Sequence, residues 1–290
     1  PLSPNPELVL EGNTRAFQAG LDVLSTLTEG TVHLVRQVET RSEALSQAQH
    51  CTTHSVEGPH PAGNVGVLLH HLDPLRPGEV VWTVTLQHVI QLGTFFLTGR
   101  LDPTLLVSVA GPGVSAPVHV KTRMGVSLAF LTKDRLHPGE MRFISGDVLT
   151  GTARDREEFL GYYDTICSVI PVSHERPFLG WLRLGSPRTK YTLSRAYRGS
   201  RRGEFPFTTL QNGDRRAMVP IGAWEKVLPM DIWPNPLYRA IQANDIDEME
   251  NLGLLELVEE DVALCSFACP SKIDLGAAVR KGLDVLYQEG

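Results

Sequence analysis

The chain has 290 residues, 42% hydrophobic and 21% charged, the profile of a folded protein with core enough for two or three domains. Its net charge of −6 excludes a general nucleic-acid binder, which must meet phosphate with a basic surface. No apolar run approaches a membrane-spanning length, and four cysteines, two of them isolated (Cys51, Cys167), make no disulfide scaffold and fit a reducing compartment.

The chain opens Pro-Leu-Ser-Pro-Asn-Pro, without Met or a charged-then-apolar leader, and reads as a fragment whose front is missing. From Asn5 to Thr28, Leu8, Phe17, Leu21, Leu24 and Leu27 recur at mostly helical spacing and predict a helix, stopped by Gly30. Thr31 to Val35 reads as a short strand and Arg41 to Gln49 as a second short helix, and helix, strand, helix suggests part of an α/β layer. No G-x-G-x-x-G stands anywhere to cradle a pyrophosphate. Gly58-Pro59-His60-Pro61-Ala62-Gly63-Asn64-Val65-Gly66 reads as an irregular backbone fixed by Pro and Gly. An apolar segment, Val80 to Thr83 and a helix from Leu86 to Leu97 follow, and Asp102-Pro103 marks a boundary.

Residues 101–152 are β-rich. Leu105 to Val109 is a strand, Gly111-Pro112-Gly113 a turn and Val118 to Lys121 the return strand. A short helix over Gly125 to Leu131 and a strand over Met141 to Leu149 complete a pattern that suits a compact β-grasp module. Residues 153–229 read as irregular and rich in Pro and Arg, with Arg183, Arg188, Lys190, Arg195, Arg198, Arg201 and Arg202 together. Residues 230–290 read as helical: Asn235 caps one helix with Pro236 at its first position, Asp245 caps another with Glu248 three residues on, Gly253 ends it, and Asp274 caps the last, which runs to about Gln288. The fold class is therefore α+β.

The most informative motif is near the C-terminus. A bacterial iron–sulfur run is C-x2-C-x2-C-x3-C-P. Aligning its second half on Cys265, Cys269 and Pro270 puts Glu259 and Val262 where the first two ligands belong. Two thiols complete neither a zinc site nor a cluster, and i, i+4 on a helix is equally the spacing of a buried structural pair. His60, His70 and His71, with His50 and His54 upstream, have no metal-binding spacing. They read as loop histidines bonded to backbone, or, for His60, as a donor to a quinone carbonyl. The Arg-rich stretch, interleaved with Tyr191, Tyr197, Phe205 and Phe207, reads as a solvated loop or as a docking segment for an acidic partner or anionic lipid. There is no G-x-S-x-G elbow, and Asn64-Val65 follows Gly63 where a Walker A loop needs Lys and Ser or Thr. The residues alone name no nucleophile and no acid/base pair.

Several long stretches together resemble one family: Gly58 to Gly63, Ser108-Val-Ala-Gly-Pro112, Ile144-Ser-Gly-Asp-Val-Leu149, Arg216-Ala-Met-Val-Pro-Ile-Gly222 and Leu252 to Cys265. The family is the A subunit of the bacterial sodium-translocating NADH:quinone oxidoreductase, whose C-terminal two-thirds the chain is similar to. That family is in turn similar to the NADH-binding flavoprotein subunit of complex I and to the C subunit of the Rnf complex. The resemblance implies the C-terminal part of a Rossmann-like, complex I flavoprotein-like domain over residues 1–100, a soluble-ligand-binding β-grasp domain over Leu105 to Gly151 and a degenerate cluster motif at Cys265 and Cys269. It implies an accessory peripheral subunit on the cytoplasmic face of the bacterial inner membrane, against the membrane-embedded B subunit, with possible ubiquinone nearby. It does not imply that this chain holds flavin, NADH or a cluster; with the incomplete motif and no glycine-rich loops, no metal and no cofactor are expected on it, and NADH, flavins and iron–sulfur belong with other subunits. The expected sites are a quinone-proximal loop (Gly58, Pro59, His60, Pro61, Gly63) and partner or lipid docking by Arg195, Arg198, Arg201 and Arg202. The readings held beside it are a free-standing β-grasp ligand-binding module and an Rnf-type electron carrier.

Overall fold

In the computed structural model, residues 2–76, 78–175, 178, 205 and 207–289 are described. The first layer starts with α1 (Pro6–Leu10), whose N-terminus is capped by Asn5 accepting from Glu7 N at 2.9 Å, and α2 (Thr14–Leu27). The single helix expected from Asn5 to Thr28 is thus two, because Gly12 turns the chain at φ +73, a conformation open to glycine and strained for other residues. Strand β1 (His33–Gln37) begins two residues later than Thr31 and pairs in parallel with β2 (Thr52–Val56), with the short α3 (Glu43–Ser46) between them. Helices α4 (Val65–Leu72) and α5 (Leu86–Thr98) follow, and α5 stops on Gly99 at φ +68. α2 and α5 run antiparallel with backbones nearly touching: a Cβ on Gly20 would lie 2.1 Å from Val89 O, and one on Gly93 1.8 Å from Ala16 O. Phe17, Leu21, Leu45, Val89 and Ile90 fill the space beside that seam.

The second unit is a five-stranded sheet in the order β4-β3-β7-β5-β6, built from β3 (Thr104–Ala110), β4 (Val118–Arg123), β5 (Met141–Ser145), β6 (Thr152–Arg154) and β7 (Ile166–Pro171). β3 and β7 are parallel at its centre, Ser108 beside Ile166, and every other pair is antiparallel. The short α6 (Leu128–Leu131) adds Leu128 and Leu131 to the core of Leu105, Val107, Val109 and Val169. α6 starts later than Gly125 because that glycine is in a turn at φ +66. β5 ends at Ser145, not Leu149: Gly146 takes φ +98, and the Asp147 carboxylate accepts from Leu149 N at 2.7 Å and Thr150 N at 3.0 Å, which winds the chain into a turn. The sheet also passes the boundary expected at 152. β7, buried from Ile166 to Ile170, comes from the stretch read as irregular and fills the gap between β3 and β5.

The third unit packs α7 (Pro234–Ala243), α8 (Ile246–Asn251), a 3-10 turn (Leu254–Glu256), α9 (Glu259–Ala268) and α10 (Leu275–Glu289) around Leu237, Ile241, Met249, Leu257, Val262 and Val279. Asp245 and Asp274 cap as expected, accepting from Glu248 N at 3.1 Å and Ala277 N at 3.0 Å, and Gly253 turns out of α8 at φ +83. Asn235 does not cap. The helix starts at Pro234 behind Trp233, and the buried Asn235 amide donates to Glu225 Oε1, since Pro234 is already preset for a first helical position. Among the described residues no helix is long and apolar enough to cross a membrane.

Candidate functional site

Three units meet where the Pro-braced loop, the turn after β5 and the N-terminus of α9 converge. The loop is held by its own backbone, with Ala62 N donating to Pro59 O at 3.0 Å and Asn64 N to Pro61 O at 2.8 Å. Gly58 sits at φ +139 and Pro61 is buried. Asn64 anchors the loop to α9, its side-chain amide donating to Glu260 O at 3.0 Å. His60 is half-buried, and its Nε2 is enclosed with no hydrogen-bond partner among the described residues. Burial pushes the imidazole below its ordinary range and outweighs the opposing pull of the Asp147 carboxylate. His60 is thus a neutral imidazole with an unspent nitrogen, and Gly58, Pro59, Pro61 and Gly63 hold it in place.

Facing the loop is a group of acids that no short motif announced. Asp261 is 1% exposed; its Oδ2 accepts from Val258 N at 3.1 Å, while Oδ1 is enclosed without a hydrogen-bond partner among the described residues. It presses on the first turn of α4 so closely that a Cβ on Gly66 would lie 2.0 Å from Oδ2. A carboxylate against a helix N-terminus is favourable to the dipole, yet burial raises its affinity for a proton, opposed by the amides of Val258 and Val67. Glu260 is pushed up by burial and then by Asp261, Asp147, Glu259 and Asp164. Glu259 goes the other way, because the Arg280 guanidinium grips both its oxygens, Nη2 to Oε2 at 2.7 Å.

Two cavities open beside these acids. One of about 610 Å³ lies between Thr150, Gln211, Ser266, Lys272 and the α9–α10 junction. The other, about 390 Å³, is lined by aliphatic side chains of α4, Val81 and Leu255, with Glu256, Glu259 and Glu260 on its edge. His70 is spent on structure: Asp231 N donates to its Nε2 at 3.0 Å, which fixes Nδ1–H to donate to Glu256 at 2.6 Å. His71 Nε2 donates to Pro229 O at 2.8 Å. His50 bonds Asp22 at 2.8 Å, and His33 bonds His54 at 2.9 Å across β1 and β2.

Cys265 and Cys269 end α9 inside the core. Cys265 Sγ lies 3.8 Å from Trp224 O, and Cys269 Sγ accepts from Ile273 N at 3.5 Å. Burial pushes the Cys265 thiol up to about 12, far from the thiolate a metal needs. Position 259 holds the Arg280 ion pair and position 262 a fully buried valine. Among the described residues no group of three or more His, Cys, Asp or Glu could hold a metal ion. Arg195, Arg198, Arg201 and Arg202 lie outside the described residues. Asp147, Glu260, Asp261 and Gly66 were missed in the sequence, because they come from segments some 80 to 200 positions apart and none has a local signature.

Two family models match: the NqrA second alpha/beta domain over residues 1–101 and the NQRA C-terminal domain over residues 106–155. The whole chain aligns with curated relatives named as the A subunit of Na(+)-translocating NADH-quinone reductase. Identity is 44% to that of Vibrio anguillarum, 43% to that of Pasteurella multocida and 42% to that of Histophilus somni. The alignments take in all of this chain, which spans 65% of the length of each of these relatives.

Proposed function

This chain belongs to the NqrA family, the A subunit of the Na(+)-translocating NADH-quinone reductase, and from that premise we propose that it is an accessory subunit of such a complex, organising the membrane part and shaping the approach of the quinone. The observation that carries the reading is 44% identity sustained over the whole chain rather than over one module. NADH oxidation, flavin and iron–sulfur chemistry reside on other subunits. What supports this is local: no glycine-rich dinucleotide loop, and a half-motif whose thiols are buried, with that of Cys265 held protonated. The chain works peripherally, on the cytoplasmic face, against the membrane-embedded B subunit.

Residues 1–100 are read as a Rossmann-like layer, supported by the parallel β1–β2 pair with helices beside it. The sheet unit is read as a β-grasp domain. A hairpin, a short helix and a returning strand that lies parallel to the first at the centre of the sheet support that. The Gly58–Gly63 loop holds a neutral His60 whose Nε2 has no partner among the described residues, the property a donor to a quinone carbonyl needs. The Arg-rich stretch meets the membrane partner or its lipid.

Paired substitution in the assembled complex tests the reading. Arg198, Arg201 and Arg202 to Ala together should weaken assembly in a salt-dependent way. His60→Ala should change quinone kinetics and leave assembly intact. If both variants assemble and turn over like the parent, neither segment has this role.

A further inference from the structure

The segment Val80–Val84 separates α4 from α5 and reads Val-Val-Trp-Thr-Val, five residues that favour β-strands. It is in no sheet. No backbone N–H or C=O of these five residues is hydrogen-bonded among the described residues. All five residues are exposed, Val80 to 76% and Trp82 to 85%, and of the five Val81 (42% exposed) and Thr83 line the 390 Å³ groove. An unpaired run of β-formers beside an apolar groove is the arrangement that invites strand pairing.

The groove states what it would take. Val65, Leu69, Leu75, Leu255 and Val258 give it an aliphatic lining, and Glu256, Glu259 and Glu260 stand on its edge. Glu256 is engaged by His70 and Glu259 by Arg280, but Glu260 has no cationic partner among the described residues. We propose that Val80–Val84 and this groove receive an added strand from another polypeptide, an extended segment in which aliphatic side chains alternate with lysine or arginine. The incoming backbone pairs the free N–H and C=O groups, its apolar side chains join the groove, and its cation meets Glu260. A lipid surface fits worse: hydrocarbon leaves those backbone groups unsatisfied, and the acids repel anionic head groups. A second copy fits worse too, because residues 79–85 contain an acid and no base. The proposal goes beyond the role assigned above and stands whether or not that role is correct.

The test is selection of decapeptides from a random library on the full chain, followed by affinity measurement on the selected peptides. Enriched peptides are expected to alternate aliphatic residues and to contain Lys or Arg. Neighbouring strand residues point their N–H groups to opposite edges, so one of Thr83→Pro and Val84→Pro should weaken binding about tenfold and the other should not. E260Q should weaken it roughly three- to tenfold, more at low salt than at high. All three sites are exposed: the proline variants should melt with the parent, and E260Q should melt no lower, since it removes a charge that its surroundings and neighbouring acids disfavour. The proposal is overturned if no peptide is enriched over the proline variants, if the enriched peptides are acidic, or if neither proline matters. It is equally overturned if vesicles of phosphatidylethanolamine and phosphatidylglycerol bind the chain through Trp82 while peptides do not. Self-association lost in a proline variant would make the occupant a second copy, and would overturn it as well.

Discussion

Gly93→Ala sets two opposing effects against each other in one residue. Alanine is the better helix former, and in an open helix interior the change stabilises by about 1 kcal/mol. Here the new methyl would lie 1.8 Å from Ala16 O and 2.6 Å from Gly20 N, both backbone atoms that cannot rotate away. To restore ordinary contact, α2 and α5 must part by on the order of 1.5 Å, a gap that forfeits much of the dispersion between Phe17, Leu21, Val89 and Ile90. Overpacking of this kind costs about 1–3 kcal/mol, and the opened seam brings the total to roughly 3–4. Less the helix gain, the net loss is about 2–3 kcal/mol, or roughly 1 M in the urea midpoint. Equilibrium unfolding followed by circular dichroism measures it. Gly63→Ala is the control, since a Cβ there meets nothing within 4 Å. A Gly93→Ala chain as stable as the parent, or more so, would refute the seam.

Three further outcomes follow from the site. Asp261 is raised above its unfolded value of 3.8, so the folded state holds the proton more tightly and the wild-type chain loses stability relative to Asp261→Asn as pH rises from about 4 through the folded value. Urea titrations of both at several pH values should show that gap changing in this direction; a flat gap, or one of opposite sign, refutes the buried charge. Maleimide labelling of the native chain at pH 8, read by mass spectrometry, should modify Cys51 first, because Cys167 and Cys265 are buried with thiols pushed up to about 12. Rapid labelling of Cys265 would overturn that assignment. The purified chain should be colourless and should not oxidise NADH with a soluble quinone as acceptor; about four irons per chain by elemental analysis would defeat the first expectation, as the content of the cluster that the half-motif resembles.

Much of this protein was legible in its sequence where the information is local. The Asp245 and Asp274 caps, the stop at Gly253, the helix from Leu86 and the hairpin of β3 and β4 all follow from residues within a few positions of one another. So did the family, because it rests on the order of residues and not on their positions in space. Where reading by pattern failed, a longer-range partner or one backbone angle had decided. Gly12 and Gly146 cut predicted elements by adopting positive φ, and Asn235 gave up a cap for Glu225. β7 has no alternation because both its faces are covered, and only its neighbours β3 and β5 make it a central strand. The acids beside the Gly58–Gly66 segment needed the tertiary structure altogether. Asp147, Glu260 and Asp261 are ordinary surface residues by composition. Folding brings them together, and there burial raises the proton affinity of Asp261, and burial with repulsion from the neighbouring acids that of Glu260, which the sequence cannot express.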